Sequence, residues 1–351
     1  MTTRMFRSLF FGPLCLISGL CLEVQAHLQP EHKADGSHTH NAHVTTPFVL
    51  LESSRTGPLL KYSGSDGKLQ TLYRIPKGAR LFQFDHAHVD TTDKKAEMLL
   101  AYGPQGKGEQ GIWRFEYVLR TAQTATVRLT PVITDSDPDT WFFDPIYVPG
   151  TRNFYYISAK TNSDSKRASQ DLAVWFYDAE AKRSKPIAKG ASHPTISETG
   201  EQLMWLNQHN SAQSLTVLEH NNLKTRHIQF GDELPSLHFP KISHSLQSIF
   251  FLSTEKLTLA TMPGFSKAFA HPGQQHKTWY AWQATSTSSD IQQARFLWQA
   301  ENVRDMQLHP DGRQLGYLNE EGLTLYNAET QKGEKVLSGH NFWKFVWIPY
   351  N

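Results

Sequence analysis

The sequence lacks an excess of either charge, and this excludes one class of partner. Its 351 residues contain 35 Lys and Arg against 33 Asp and Glu, which leaves a formal net charge of +2. Proteins that bind nucleic acids need a concentrated basic stripe, so we expect no nucleic-acid partner. Hydrophobic residues make up 39% of the chain. This fraction is enough to bury a large core, so disorder is excluded for most of the length.

Cysteine is almost absent, and both copies, Cys15 and Cys21, fall in one N-terminal segment. Residues 1–26 have the pattern of a secretory signal peptide: two arginines precede the apolar stretch Leu9–Leu22, and a small-residue cleavage site ends at Ala26. The apolar stretch is short for a membrane span and is interrupted by glycine and proline. We therefore expect Gram-negative-type export to the periplasm or beyond, cleavage after Ala26, and no membrane span afterwards. The remaining chain is expected to be a monomer without disulfides.

Apolar residues are scarce between residues 27 and 46, where histidines are frequent. Such a segment cannot bury itself and is expected to be a disordered arm. Its imidazoles could wrap one borderline-soft cation, Zn(II) or Cu(II). The candidate ligands are His27, His32, His38, His40 and His43. The alternative is a polar leader that keeps the terminus soluble.

The chain from residue 47 onward has no long segment of helical periodicity. Short runs of β-branched and aromatic residues alternate with turn residues about every 8 to 12 positions, which predicts an all-β protein. One two-strand pattern recurs with a turn between its strands, and each full copy is followed by a further strand pair. The copies begin at His86, Pro145, Pro194, Pro240, Met306 and Phe345.

Four-stranded units that recur in this way are typical of a β-propeller. The six copies predict six blades over residues 47–351, with seven blades as the alternative. The last copy ends after one strand, Phe345–Ile348, whereas Pro47–Ile75 holds three strands without an innermost one. Pairing the two ends of the chain would complete a blade and remove open sheet edges.

The copy at Leu308–Leu337 resembles the WD40-like repeat of TolB-type periplasmic propellers. It matches in a hydrophobic residue, the Pro310-Asp311-Gly312 turn and a following strand that ends in Asn. As architecture, the resemblance covers residues 47–351 and implies a periplasmic scaffold for protein interactions. The N-terminal α/β domain of TolB has no counterpart here, so a role in the Tol-Pal system is not implied. A likeness of layout alone links the chain to periplasmic zinc metallochaperones that join a His-rich N-terminus to a propeller.

The repeat alignment also predicts which side chains surround the central channel. Propeller ligands sit at the channel mouth near the starts of the innermost strands, so the residue before each copy is a candidate. These residues are Asp85, Asp144, His193, Phe239, Asp305 and Lys344. Three further candidates lie beside them: His86, His88 and His238. Carboxylates and imidazoles suit Zn(II), or Mn(II) and Ca(II) where carboxylates dominate. The alternative is that these groups cap turns, form ion pairs or line a water-filled channel.

These patterns lead to three hypotheses about function. The first is an exported, non-enzymatic metal-binding propeller that passes zinc or copper between the arm and the channel mouth, as a chaperone does. Its partner would be a periplasmic transporter or an envelope protein. The alternative is a TolB-like interaction scaffold of the cell envelope. A third hypothesis is a lyase or hydrolase that uses a channel metal. No residue is assigned a catalytic role.

Overall fold

The computed structural model describes the parts of the chain that form its sheets. The described residues are 22–25, 46–54, 57–64, 68–90, 95–103, 110–119, 125–135, 137, 139–160, 172–209, 212–229, 237–254, 277–287, 294–339 and 341–349. These residues form twenty-five β-strands, and none of them is helical. Within the same ranges, no helix long and apolar enough to cross a membrane is found.

The strands are numbered in chain order. The first eight are β1 (Leu22–Gln25), β2 (Phe48–Glu52), β3 (Leu59–Ser63), β4 (Leu69–Arg74), β5 (Arg80–Asp90), β6 (Lys95–Gly103), β7 (Gly111–Leu119) and β8 (Ala125–Thr134). The next eight are β9 (Thr140–Tyr147), β10 (Phe154–Lys160), β11 (Ala173–Asp178), β12 (Arg183–Lys189), β13 (Ala191–Ile196), β14 (Gln202–His209), β15 (Ala212–Glu219) and β16 (Thr225–Gln229). The last nine are β17 (Leu237–Ser243), β18 (Ser248–Ser253), β19 (Thr278–Thr285), β20 (Arg295–Glu301), β21 (Asp305–Leu308), β22 (Gln314–Asn319), β23 (Gly322–Asn327), β24 (Lys332–Ser338) and β25 (Phe342–Trp347).

The strands form six antiparallel sheets, each of which is one blade. Blade 1 has the order β25-β2-β3-β4, and blades 2 to 6 begin at β5, β9, β13, β17 and β21 and continue in chain order. The innermost strand of each blade contacts that of the next, and β25 contacts β5, so the ring closes. The prediction of an all-β, six-bladed propeller is confirmed.

Blade 1 is completed from both ends of the chain. The C-terminal strand β25 pairs antiparallel with β2, in a register that runs from Phe48 opposite Trp347 to Glu52 opposite Phe342. The amide of Ile348 also donates to the carbonyl of Pro47. The predicted closure is therefore confirmed. It joins residues that are almost the whole chain apart, so the ring cannot close before the last strand is in place.

Blade 2 has a fifth strand that the other blades lack in the described parts of the chain. The short β1 pairs antiparallel with the outer strand β8, with Leu22 opposite Leu129 and Gln25 opposite Thr126. These four residues belong to the predicted signal peptide. Cleavage after Ala26 would remove them and leave blade 2 with four strands. The division into residues 1–26, 27–46 and 47–351 stays a prediction.

The core is divided among the interfaces between neighbouring blades. Six clusters of buried hydrophobic side chains are present, and each combines residues from two adjacent blades. In β18, for example, Phe251 packs toward blade 4 whereas its neighbour Phe250 packs toward blade 6. Side chains alternate between the two faces of a strand. Strands such as β18 are therefore buried at every position, because both faces of the blade are covered.

Candidate functional site

One cavity in the central channel is lined by all six side chains that the repeat alignment selected. It has a volume of about 120 Å³ and is called the constriction below. One residue comes from each blade, and we call these six the ring residues: Lys344, Asp85, Asp144, His193, Phe239 and Asp305. The sequence therefore predicted which residues meet at the centre of the molecule.

The detailed position of this ring differs from the prediction. We expected these residues just before the innermost strands, whereas all but Asp305 lie inside them. In blades 3 to 5 the innermost strand begins before the ring residue. It continues through that residue and the proline after it by forming a β-bulge. The constriction consequently lies within the ring of innermost strands, and not ahead of it.

The same bulge occurs in β9, β13 and β17. In each strand two residues oppose a single residue of the neighbouring strand, and the second of the two is proline. The X-Pro pairs are Asp144-Pro145, His193-Pro194 and Phe239-Pro240. The X residues have left-handed φ angles of 42°, 50° and 49°. Proline cannot donate to a sheet ladder and is tolerated at edges and bulges, so its place here explains why these strands continue.

The remaining predicted histidines do not join the ring. His238 precedes Phe239 but does not line the constriction; its ring lies edge-on to Trp279, with 5.0 Å between centroids. Burial lowers the pKa of His238, and nearby Lys277 and His193 lower it further.

The other histidine predictions cannot be placed at the level of side chains. His86 and His88 belong to β5, but their side chains lie outside the described part of the structure. The five histidines of the arm lie wholly outside the described residues.

Two of the ring carboxylates are used to join neighbouring blades. The Asp85 carboxylate accepts a hydrogen bond of 2.8 Å from the backbone N–H of Tyr147 in blade 3. Asp305, only 2% exposed, accepts one of 3.1 Å from the backbone N–H of Phe345 in blade 1. An innermost strand is the edge of its blade. The N–H groups on its unpaired side therefore need acceptors from outside the sheet. These two carboxylates supply them.

A half-buried lysine that the sequence analysis missed also belongs to the constriction. Lys241 lines the cavity, and its ammonium donates a hydrogen bond of 2.8 Å to Oε1 of Gln307. Burial lowers the pKa of Lys241, while the carboxylates of Asp305, Asp144 and Asp85 oppose that decrease.

A simple pattern could have identified this lysine. Residues two apart in a strand share a face. In a regular strand, the position two after a ring residue would therefore also face the channel. In blades 5 and 6 this rule selects Lys241 and Gln307, and both line the constriction.

A wider cavity of about 290 Å³ opens from the constriction toward one end of the propeller; we call it the vestibule. The two cavities share Asp85, Ile146, Lys241 and Gln307 in their walls, so they adjoin along the central channel. The outer wall of the vestibule is built from the turns that follow the innermost strands. These turns contribute Pro149, Gly150, Ser197, Glu198, His309, Pro310 and Pro349.

The rim of the vestibule is held by hydrogen bonds between blades. Glu198 in blade 4 accepts from the backbone N–H of His244 at 3.1 Å and of Ser245 at 2.6 Å, both in blade 5. The turn of blade 6 packs against the same carboxylate, because a Cβ atom added to Gly312 would collide with it. A single side chain therefore connects three consecutive turns.

Trp347 also lines the vestibule, and its indole N–H has no partner within the described residues. The side chain is 3% exposed, and Nε1 is buried without an acceptor. A buried donor without an acceptor costs about 1–3 kcal/mol.

A threonine, a histidine and an aspartate near the rim have the hydrogen-bond order of a catalytic triad. Thr46 Oγ1 is 2.8 Å from His309 Nε2, and His309 Nδ1 is 3.0 Å from Asp311 Oδ1. Hydrogen bonds from His309 and from the backbone of Arg313 hold the pKa of Asp311 well below its usual range, against the effect of burial. Thr46 is not part of the vestibule wall, however. The arrangement links the segment before β2 to blade 6, and we assign it to ring closure.

Metal binding at the channel is not supported by a preformed cluster. Within the described part of the chain, no group of three His, Cys, Asp or Glu side chains is close enough to hold a metal ion. Asp85 and Asp305 already accept backbone hydrogen bonds, and two lysines stand among the carboxylates. Metal binding by the ring residues stays a prediction that the geometry does not favour.

The fold is shared with solved propeller structures of low sequence identity. No family model matches this sequence, and no curated protein matches it. TolB from Acinetobacter baumannii superposes with a TM-score of 0.56 at 10% identity, over 87% of this chain and 67% of TolB. A chain of a nidogen/laminin complex has a TM-score of 0.54 at 8% identity, over 86% of this chain and 98% of its own length. The tricorn protease reaches 0.50 at 12% identity, over 84% of this chain but 30% of the protease. The expected likeness to TolB is thus confirmed as a likeness of architecture.

Proposed function

We propose that this chain is a protein-binding propeller of the cell envelope, with the partner bound at the end where the vestibule opens. The observation that carries the proposal is the vestibule itself, a cavity of about 290 Å³ whose outer wall comes from the turns of four blades. Ligand sites prefer concave surfaces with apolar walls and a few polar groups, and this cavity has both. The propeller architecture of this chain is that of TolB and of the nidogen/laminin chain. The second of these was solved within a complex of two proteins.

The turn end suits a protein partner because it is preorganised. Pro149, Pro310 and Pro349 restrict the backbone of three turns, and Glu198 joins three consecutive turns. Rigid surfaces lose little conformational entropy on binding, which favours affinity. On the same end, Leu223 is 75% exposed. An exposed leucine at the end where an apolar-walled cavity opens extends the surface available for contact.

Site-specific photocrosslinking in cells tests this proposal. A photoreactive amino acid would replace Thr151 or Glu201, two exposed residues in turns of blades 3 and 4 at the rim. The control is Lys189, an exposed residue in the outermost strand of blade 3 at the opposite end of the propeller. We expect both rim positions to yield the same crosslinked protein and the control to yield none. Equal crosslinking from all three positions would contradict a docking site at the turn end.

A metal-chaperone function remains the second candidate, and it depends on the arm. Five histidines in the segment from His27 to His43 provide enough imidazoles for Zn(II) or Cu(II). Equilibrium dialysis of the chain from residue 27 against Zn(II) tests it, with deletion of residues 27–43 as the comparison. Binding that disappears with the arm would support metal capture. Binding unchanged by the deletion but lost in Asp144→Ala and His193→Ala would place the metal in the constriction.

A further inference from the structure

The constriction contains charged groups of both signs that the fold does not hold by hydrogen bonds or ion pairs. Within the described residues, the Asp144 carboxylate accepts no hydrogen bond and the Lys344 ammonium forms no ion pair. They line the same cavity from blades 3 and 1. Both side chains are half-buried, so they have lost part of their hydration, and an opposite charge supplied by a ligand would offset that loss. Asp85 and Asp305, by contrast, are already used to join blades.

Lys241 adds a second ammonium at the inner end of the same space. It has three N–H donors, and Gln307 is its single hydrogen-bond acceptor within the described part of the chain. Lys241 belongs to the walls of both the constriction and the vestibule. A molecule that entered through the vestibule would therefore meet this ammonium at the point where the channel narrows.

We propose that the constriction binds a small zwitterion, a molecule with one ammonium and one carboxylate group, of the class of free α-amino acids. Asp144 would receive the ammonium group. Lys344 and Lys241 would receive the carboxylate. Both contacts are charge-assisted hydrogen bonds, which are stronger than neutral ones.

The charges of the constriction select this class over simpler ions. An anion without an ammonium group would meet three aspartates, whereas a cation without a carboxylate would meet two lysines. A zwitterion places an opposite charge against each set. The volume of about 120 Å³ limits the ligand to a few heavy atoms. A partner protein at the rim is not required, so this inference can hold or fail independently of the proposed function.

Isothermal titration calorimetry with three matched probes tests the inference. Alanine carries both charges, propionate lacks the ammonium and ethylamine lacks the carboxylate. The test variants are Asp144→Asn and Lys344→Met, which keep the shapes of the side chains. The control variants are Lys185→Met and Glu329→Gln, at exposed positions on the outside of the molecule. Thermal unfolding of each variant without ligand confirms that it is folded.

We expect alanine to bind and both probes with a single charge to bind about tenfold more weakly or not at all. Asp144→Asn and Lys344→Met should each weaken alanine binding by about tenfold or more, and the control variants should leave it unchanged. Propionate binding as tightly as alanine would show an anion site and overturn the inference. Equal binding of ethylamine would show a cation site and overturn it as well. The absence of alanine binding to the folded wild-type protein would also overturn it.

Discussion

Blades 3 to 5 and blade 6 build the same ring position in two different ways. In blades 3 to 5 the ring residue precedes a proline, has a left-handed backbone and belongs to a bulge. In blade 6 the ring residue Asp305 lies in a strand whose pairing with β22 runs without a shift. Its carboxylate accepts backbone hydrogen bonds from Met306 and Phe345.

The difference separates residues that hold the ring together from residues available to a ligand. Asp305 connects blade 6 to the closing strand β25, so its carboxylate is committed to the fold. Asp144 and His193 are directed into the channel by bulges, and the left-handed backbone there costs energy that packing must offset. Two residues with similar chemistry at equivalent positions, Asp305 and Asp144, are thus expected to respond differently to substitution.

The largest expected effect comes from replacing the two aspartates in parallel. Asp305→Ala leaves the backbone N–H groups of Met306 and Phe345 without their acceptor, whereas the loss of a countercharge near Lys241 is common to both variants. We expect the free energy of unfolding to fall by about 3 kcal/mol. Asp144→Ala, whose carboxylate accepts no hydrogen bond within the described residues, should cost less than about 1 kcal/mol. Urea unfolding measures both values, and equal losses would contradict the division of roles.

A smaller effect tests the difference in backbone conformation between His193 and Lys344. The sign of this effect is expected to be opposite at the two positions. His193 has a φ of 50°, so His193→Gly should be more stable than His193→Ala by about 1 kcal/mol, because glycine tolerates the left-handed region. Lys344 is not among the residues with positive φ. For that position the order should reverse, with Gly less stable than Ala by about 0.5–1 kcal/mol. Each comparison removes the same side-chain contacts in both variants, so the difference reports on the backbone alone. The same sign at both positions would contradict the strained geometry.

The smallest expected effect concerns the residue just before the ring in blade 5. Burial holds the pKa of His238 below its ordinary value of 6.5. The unfolded chain therefore binds a proton more readily than the folded chain, so stability falls as the pH decreases through 6.5 toward the lowered pKa. Arg304, the corresponding residue of blade 6, stacks on Trp343 and stays charged throughout this range.

We expect His238→Gln to reduce the loss of stability between pH 7.5 and pH 5, measured by thermal unfolding. Arg304→Gln should not change that pH dependence. If His238→Gln left the pH dependence unaltered, the histidine would not be responsible for it.

Much of the fold could be predicted because the repeat is carried by local hydrophobic patterns. The aligned aromatic residues Tyr156, Trp205 and Phe251 lie opposite the X-Pro bulges of blades 3 to 5, so the alignment reflects a real structural register. The ring residues followed from the same alignment. Lys241 could have been added by strand periodicity, since it lies two residues after Phe239.

Other features depend on contacts between distant parts of the chain. The residue before a proline favours extended backbone, so nothing local indicated the left-handed conformations of Asp144, His193 and Phe239. The hydrogen bond from Phe345 to Asp305 spans 40 residues, and that from Tyr147 to Asp85 spans 62. These bonds, which decide which carboxylates are free, are invisible to any local pattern.

By itself, the amino-acid sequence predicted six blades, with seven as the alternative, the joining of the two chain ends and the six ring residues of the channel. These features follow from the spacing of apolar and turn residues, which acts over a few positions at a time. The tertiary structure alone decided that Asp85 and Asp305 stabilise the ring while Asp144, Lys344 and Lys241 line a space that a ligand could enter. The physical reason is that the outward N–H groups of each innermost strand need acceptors, and only the assembled ring determines which side chains reach them.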